Sequence, residues 1–195
     1  MNYGYQLSCS MATCFLNERG DSPRTEWMRR GELLLSAASS GCLRQIKYVL
    51  EYGDIDINYS RYEDGATALC IAASYGHTSI VSMLLQQEEI LINKAGTNKG
   101  ATPLICAAER GHTDVAKLLL SSDKILVNKK TNNGSSALLQ AASNGHHLVV
   151  KELLRNKCLL VNDARDQGIK ATPLFMAAQN GYSNVVALLL ERPGM

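Results

Sequence analysis

The stretch GATPLICAAERGHTDVAKLLL at residues 100–120 decides the fold of this 195-residue chain. Thr102 offers a side-chain oxygen that can accept from the free N–H groups of a helix start, and Pro103 suits the first helical position, where its missing N–H costs nothing. Gly111 suits a helix end, because a left-handed backbone is cheap only without a Cβ atom. An apolar stripe at i, i+3 and i+4 predicts a second helix over roughly 113–121. The stretch therefore predicts two short helices joined by a tight turn.

The same pattern recurs along the whole chain. Ala-Ala pairs stand at 37–38, 72–73, 107–108, 141–142 and 177–178, so that successive pairs are 34 to 36 residues apart. A glycine follows each pair at the same distance, at Gly41, Gly76, Gly111, Gly145 and Gly181. One pair of short helices buries too little apolar surface to fold alone, whereas copies stacked on each other bury both faces. The recurrence predicts a solenoid of stacked helix pairs.

Composition fits such a stack and excludes several classes of protein. Residues are 46% hydrophobic but only 6% aromatic, which suits thin layers filled by leucine and alanine. A charged fraction of 19% and a net charge of +2 give no indication of a nucleic-acid or membrane-surface protein. The longest apolar runs fall far short of the roughly 20 residues that span a bilayer, so no membrane insertion is expected.

Cysteine usage and the N-terminus bear on the compartment. The six cysteines are scattered and form no CxxC pair, which is typical of reduced thiols in an intracellular protein. Residues 1–20 have neither the basic start nor the apolar core of a secretory signal. A cytoplasmic location is expected, and the sequence leaves open a nuclear location or delivery into a host cell.

Three further stretches carry a family resemblance together with residues 100–120. They are GATALCIAASYGHTSIVSMLL (65–85), GSSALLQAASNGHHLVVKELL (134–154) and ATPLFMAAQNGYSNVVALLL (171–190). Over about residues 31–191 the chain resembles the ankyrin repeat family. The resemblance implies an all-α solenoid of stacked helix–turn–helix pairs with β-hairpin-like finger loops. The units are slightly longer than the roughly 33 residues usual in the family, and the additions fall in the finger loops.

The repeat register divides the chain. We predict an ankyrin repeat domain over 31–195 with five consecutive units, at about 31–64, 65–99, 100–133, 134–169 and 170–195. Residues 1–30 form an N-terminal extension with two alternatives. Either it contains a capping helix, in which Trp27 packs against the open face of the first unit, or it is a partly disordered tail.

Histidines in the repeats invite a metal or catalytic interpretation, which the register argues against. His77, His112 and His146 occupy the position after the repeated glycine, and the other two units place Cys42 and Tyr182 there. A position that takes three different side chains in stacked copies is expected to serve packing and hydrogen bonding. No Ser-His-Asp set, phosphate-binding loop or paired acidic motif occurs either. We therefore predict no enzyme, no catalytic residue, no metal and no cofactor, and the spacing of Cys9 and Cys14 does not indicate zinc.

Asparagines close the first four units, at Asn58, Asn93, Asn128 and Asn162. Asparagine side chains commonly hydrogen-bond nearby backbone groups in loops. We expect these four to brace loops, with partner contact or modification as the alternative.

What remains for function is the surface. In the ankyrin family, partners usually bind a concave face formed by the finger tips and the ends of the first helices. The matching positions here, which we call the predicted concave face, are Tyr62, Glu63, Asp64, Ser74, Tyr75, Asn98, Lys99, Glu109, Arg110, Asn132, Asn133, Ser143, Asn144, Gln179 and Asn180. Tyr62, Tyr75 and Arg110 are the expected hot spots, because tyrosine and arginine are enriched among them.

The resemblance and the charge pattern together predict a non-enzymatic module that is monomeric alone and binds a protein or peptide partner. Residues 1–98 hold 8 basic and 11 acidic residues, and residues 99–195 hold 12 and 7. Such a gradient suits a protein partner better than nucleic acid, which would require a continuous basic stripe. The alternative is that the chain is the targeting or substrate-recruitment part of a larger multidomain enzyme or secreted effector.

Overall fold

The structure is a computed structural model that describes residues 23–51, 55–96, 99–165 and 170–191. These residues form ten α-helices, and the expected all-α architecture is confirmed. The helices follow one another as five pairs: α1 (Pro23–Ser40) and α2 (Leu43–Glu51), α3 (Ala68–Tyr75) and α4 (Thr78–Leu85), α5 (Pro103–Arg110) and α6 (Thr113–Leu120), α7 (Ala137–Ser143) and α8 (His147–Leu154), α9 (Pro173–Gln179) and α10 (Ser183–Leu190).

Helix starts and ends follow from local side-chain chemistry. The hydroxyl of Thr102 accepts a hydrogen bond from the backbone N–H of Ile105 at 3.4 Å, and Thr67, Ser136 and Thr172 cap their helices in the same way. Helix α5 ends where Gly111 takes the left-handed conformation, with φ of 78°. Each threonine or serine cap satisfies a backbone N–H that the start of the helix leaves free. Threonine or serine at one end and glycine at the other therefore confine the first helix of these pairs to about two turns.

Stacking of the pairs builds one continuous core. The first helices contact one another in chain order from α1 to α9, and the second helices do so from α2 to α10. Both alanines of the first four Ala-Ala pairs are fully buried, and this small side chain lets neighbouring first helices approach closely. Leu84, Leu119 and Leu153 fill the corresponding layers between the second helices and are also fully buried.

The described parts of the segments that connect successive pairs are called finger loops: 55–67, 86–96 with 99–102, 121–136, and 155–165 with 170–172. In the first, Ser60 pairs with Thr67 in an antiparallel bridge, and in the third Lys130 pairs with Ser136. In the second and fourth, backbone hydrogen bonds join the two sides of the loop, from Gly96 N–H to Ala101 O at 3.0 Å and from Arg165 N–H to Ala171 O at 3.1 Å. The finger loops thus have the β-hairpin-like form that the resemblance implied.

Helix α1 starts before the first predicted unit. It runs without a break from Pro23 to Ser40, so the predicted boundary at residue 31 lies inside a helix. Trp27 meets the ring of Tyr59 edge to face, with centroids 6.4 Å apart, and the Tyr59 hydroxyl donates to Glu32 at 2.8 Å. Residues 23–30 thereby extend the first helix and contact the first finger loop through Trp27. The rest of the predicted extension, residues 1–22, lies outside the described residues.

Candidate functional site

Each histidine that follows a repeated glycine contacts the preceding helix pair. The Nε2 atoms of His77, His112 and His146 lie 3.2, 3.0 and 3.0 Å from the backbone oxygens of Ser39, Ser74 and Glu109. A carbonyl oxygen can only accept, so Nε2 must carry the proton in all three. The structure therefore supports the predicted packing and hydrogen-bonding role for this position, and the bond crosses from one unit to the next.

In the last pair, different residues make the contact with the preceding pair. Tyr182 occupies the histidine position, and its ring lies against Gly145 of the preceding pair. The backbone oxygen of Ser143 then accepts instead from the side-chain Nδ2 of Asn180, at 2.8 Å. Asn180 belongs to the predicted concave face and is exposed, and its amide group also holds two units together. Sequence reasoning missed this role because the donor stands two positions away from the one that histidine uses.

Three of the four recurring asparagines bridge neighbouring finger loops. Asn58 donates from Nδ2 to Glu89 O at 2.8 Å and accepts at Oδ1 from Leu91 N–H at 2.8 Å. Asn93 and Asn128 repeat this pair of bonds one unit further on, with distances of 2.7 to 2.9 Å. The predicted bracing role is confirmed for these three, and the bonds join each finger loop to the next one. Asn162 stands at the equivalent position of the last finger loop and is exposed.

Most of the predicted concave face is open to solvent. The exposed members are Tyr62, Glu63, Tyr75, Lys99, Glu109, Arg110, Asn132, Asn133, Asn144, Gln179 and Asn180, and the half-buried ones are Asp64, Ser74 and Ser143. Asn98 lies outside the described residues. Tyr62 is 99% exposed in the first finger loop, and Tyr75 is 60% exposed at the end of α3. The Tyr75 ring stacks on His77 with centroids 6.0 Å apart, so one of its faces is supported from within.

Several members of this set also make internal contacts. Asp64 receives Nε and Nη2 of Arg61 at 2.9 and 2.6 Å and the backbone N–H of Ala66 at 3.0 Å. Asn144 donates to Gln140 O at 2.9 Å, and Asn133 accepts from the hydroxyl of Thr131. These three side chains shape their own turns, which leaves Tyr62, Tyr75, Glu109 and Arg110 as the more prominent surface features.

The bonds to Asp64 predict a pH-dependent contribution to stability. The hydrogen bond from Arg61 is the largest cause that lowers the pKa of Asp64, with the backbone N–H of Ala66 adding to it. A carboxylate with a lowered pKa stabilises the folded state above its unfolded pKa of about 3.9, and the effect is lost as pH falls through the folded value. Because the side chains of Arg61 and Asp64 are 41% and 32% exposed, we expect Asp64→Asn to cost at most about 1 kcal/mol at pH 7.

Urea unfolding of the wild type and Asp64→Asn at pH 7 and at pH 3 measures this contribution. The difference in unfolding free energy between the two proteins should shrink at the lower pH. Lys117→Ala removes another surface ion pair, with Asp114 at 3.5 Å, and serves as a comparison at pH 7. An Asp64→Asn cost that is the same at both pH values would contradict the ion-pair explanation.

Two of the four cysteines in the described residues lie in the core. Cys70 and Cys106 are buried in α3 and α5, and the thiol of Cys70 donates weakly to Lys94 O at 3.6 Å. The hydrogen bond with Cys70, followed by burial, raises the pKa of Cys106 far above its ordinary value. Among the described residues no three His, Cys, Asp or Glu side chains are grouped so that they could hold a metal ion. Cys9 and Cys14 lie outside them.

Comparison with known proteins agrees with this geometry. The family model described as ankyrin repeats (3 copies) matches residues 33–131 and 122–195, which together make up most of the chain. The chain belongs to the ankyrin repeat family. Ankyrin repeats generally mediate protein–protein interaction. The comparison with curated proteins found no match.

The described part of this ankyrin repeat protein contains no membrane-spanning helix. None of its helices there is both long enough and apolar enough to cross a bilayer.

Proposed function

We propose that this ankyrin repeat chain is a non-enzymatic interaction module that binds a protein or peptide partner on the predicted concave face. The general role of the family supports the coarse part of this proposal. The finer part, the location of the binding surface, is supported by the pattern of exposure at the ends of the first helices.

One observation carries that location. The residue before each repeated glycine is exposed in all five helix pairs, while the first alanine of every Ala-Ala pair, three residues earlier, is buried. The exposed residues are Ser40, Tyr75, Arg110, Asn144 and Asn180, which differ in size, charge and hydrogen-bonding capacity. A row that is accessible in every unit and carries four different residue types over five units can discriminate between partners. The buried rows cannot, because the stacking demands the same small side chain throughout.

The row is also held in place before a partner arrives. Ser74 and Glu109, next to Tyr75 and Arg110, accept hydrogen bonds at their backbone oxygens from His112 and His146. These bonds fix the helix ends that carry the two exposed side chains. A surface that is already ordered loses less conformational entropy on binding, which favours affinity.

Replacing Tyr75 and Arg110 together with alanine tests the proposal. Both side chains are exposed, so helical circular dichroism and the unfolding midpoint should stay near wild type. Affinity for a partner should fall at least tenfold, which corresponds to about 1.4 kcal/mol. Partners captured by the wild type would be identified by quantitative mass spectrometry, purified, and titrated against both proteins.

A double substitution on α8, Leu148→Ala with Lys151→Ala, provides a matched control. It likewise removes one large and one basic side chain from exposed positions, but on a second helix. Partners should retain their affinity for this variant. Equal affinity for the wild type and the Tyr75/Arg110 variant would place the binding surface elsewhere.

A further inference from the structure

A row of exposed leucines runs along the finger loops, outside the predicted concave face. Leu91, Leu126 and Leu160 are 56%, 58% and 57% exposed, and they occupy the same register position in three consecutive units. We call these three residues the leucine ridge. A single exposed leucine needs no explanation, because much of any protein surface is apolar. Three at one repeated position with nearly the same exposure form an ordered apolar row on the surface.

The backbone beneath the ridge is fixed on both sides. Each ridge leucine donates its backbone N–H to the asparagine of the preceding unit, at 2.8, 2.9 and 2.9 Å for Leu91, Leu126 and Leu160. The residues that follow the first two, Ile92 and Val127, are buried in the core. The side chains of the ridge are therefore held towards solvent by their own anchored loops. A preorganised row of this kind can bind an extended chain at a low entropic cost.

The charge carried by the residues three and two positions before each ridge leucine changes sign from one end of the ridge to the other. The two residues that lie three and two positions before Leu91 are Glu88 and Glu89, both exposed. The equivalent residues before Leu126 are one acid and one base, Asp123 and Lys124. Before Leu160 they are Lys157 and the neutral Cys158. A partner segment with a basic end and an acidic end would match this gradient.

The interval between neighbouring ridge leucines favours one backbone conformation of that segment. Packed helices lie about 8–10 Å apart, so neighbouring ridge leucines should recur at about that interval. A polyproline II chain has three residues per turn and rises about 3.1 Å per residue, which brings every third side chain to the same face after about 9 Å. An α-helix reaches a similar interval only after seven residues, and it docks into a groove rather than onto a row of separate side chains. The extended chain is the better match.

We propose that the leucine ridge is a second interaction surface, which binds an extended polyproline II segment of a partner protein. The segment has an apolar side chain at every third position. Its basic residues lie beside Glu88 and Glu89, and its acidic residues lie beside Lys157. This inference does not depend on the predicted concave face, since the two surfaces share no residue.

A designed peptide on the full chain tests the proposal. The probe is fluorescein-labelled Lys-Lys-Leu-Pro-Pro-Leu-Pro-Pro-Leu-Pro-Glu-Glu, titrated by fluorescence anisotropy. The variant Leu91→Ser, Leu126→Ser, Leu160→Ser should bind at least tenfold more weakly than the wild type. Leu148→Ser removes a leucine that is 52% exposed on α8 and should bind the peptide like the wild type. If the triple variant loses its helical circular dichroism, the single variant Leu126→Ser replaces it. We then expect a smaller loss of affinity for the peptide.

Two altered peptides test the spacing and the charge. A peptide with leucines at every seventh position of a helical background, and one with glutamate at both ends, should each bind at least tenfold more weakly than the probe. Absence of probe binding to the wild type, equal binding by the ridge variant, or stronger binding of the helical peptide would overturn the proposal. The variant Tyr75→Ala with Arg110→Ala should bind the probe unchanged, which separates this surface from the predicted concave face.

Discussion

Replacing Leu119 with alanine is expected to lower the free energy of unfolding by about 2–5 kcal/mol. Leu119 is fully buried in α6, which packs against both α4 and α8. Truncation removes apolar contacts on two sides and leaves a cavity between layers that the neighbouring helices also define. The repeated register limits how far those helices can move to fill it. Urea unfolding followed by far-ultraviolet circular dichroism would measure the loss.

Leu126→Ala serves as the matched control for this measurement. The same atoms are removed from a side chain that is mostly exposed in the following finger loop. Surface substitutions of this kind usually change stability by less than about 0.5 kcal/mol. The two variants thus separate burial from residue type. If Leu119→Ala cost no more than the control, the repeat register that places Leu119 in the core would be wrong.

Helix ends were the part of the fold that sequence reasoning reached most directly. Thr102 and Gly111 act on the backbone within a few residues, through a cap and a left-handed turn, so their effect needs no knowledge of the rest of the molecule. The recurrence of the same residues then identified the stack, since identical units can bury their faces on one another. The start of α1 at Pro23 was harder to predict from the sequence, because the residues before Glu32 lie outside the repeat pattern.

The sequence predicted the interactions between units only in part. The register showed that His112 and Asn93 occupy repeated positions, and hydrogen bonding was the expected role for both. The atoms that they meet, Ser74 O and Lys124 O, lie 38 and 31 residues away and follow only from the stacked geometry. The hydrogen bond that Asn180 donates in the last pair, where Tyr182 stands at the histidine position, was missed for the same reason.

The candidate surfaces show a similar limit. Register alone identified the positions that vary between units. The positions among them that lie in the described residues are exposed or half-buried. Register did not identify the leucine ridge, because a leucine in an apolar segment such as ILIN is normally assigned to the core. Exposure at Leu91 follows from the burial of its neighbour Ile92 and from the bond to Asn58. The signal available in the sequence was the 34- or 35-residue spacing of leucines directly before an Ile or Val.

Replacing Gly111 with alanine is expected to lower the free energy of unfolding by about 2–3 kcal/mol, from two causes. The left-handed backbone, with φ of 78°, costs a residue with a Cβ atom about 1–2 kcal/mol. The new Cβ would also lie 2.6 Å from Nδ1 of His146, so the ring must move away from the Glu109 oxygen that it bonds at 3.0 Å. Losing that hydrogen bond adds about 1 kcal/mol. Equilibrium urea unfolding at neutral pH would measure the sum.

Gly65 and His146 supply the controls that separate these causes. Gly65 has φ of 71° with open space around its Cβ position, so Gly65→Ala should show the backbone cost alone. In a His146→Ala background the obstructing ring is gone, and the cost of Gly111→Ala should fall to that of Gly65→Ala. The double-mutant cycle therefore measures the coupling between a glycine of one unit and the ring of the next. Equal costs for Gly111→Ala and Gly65→Ala in the wild-type background would mean that the ring is displaced without loss, and the histidine bond would then contribute nothing to holding the stack.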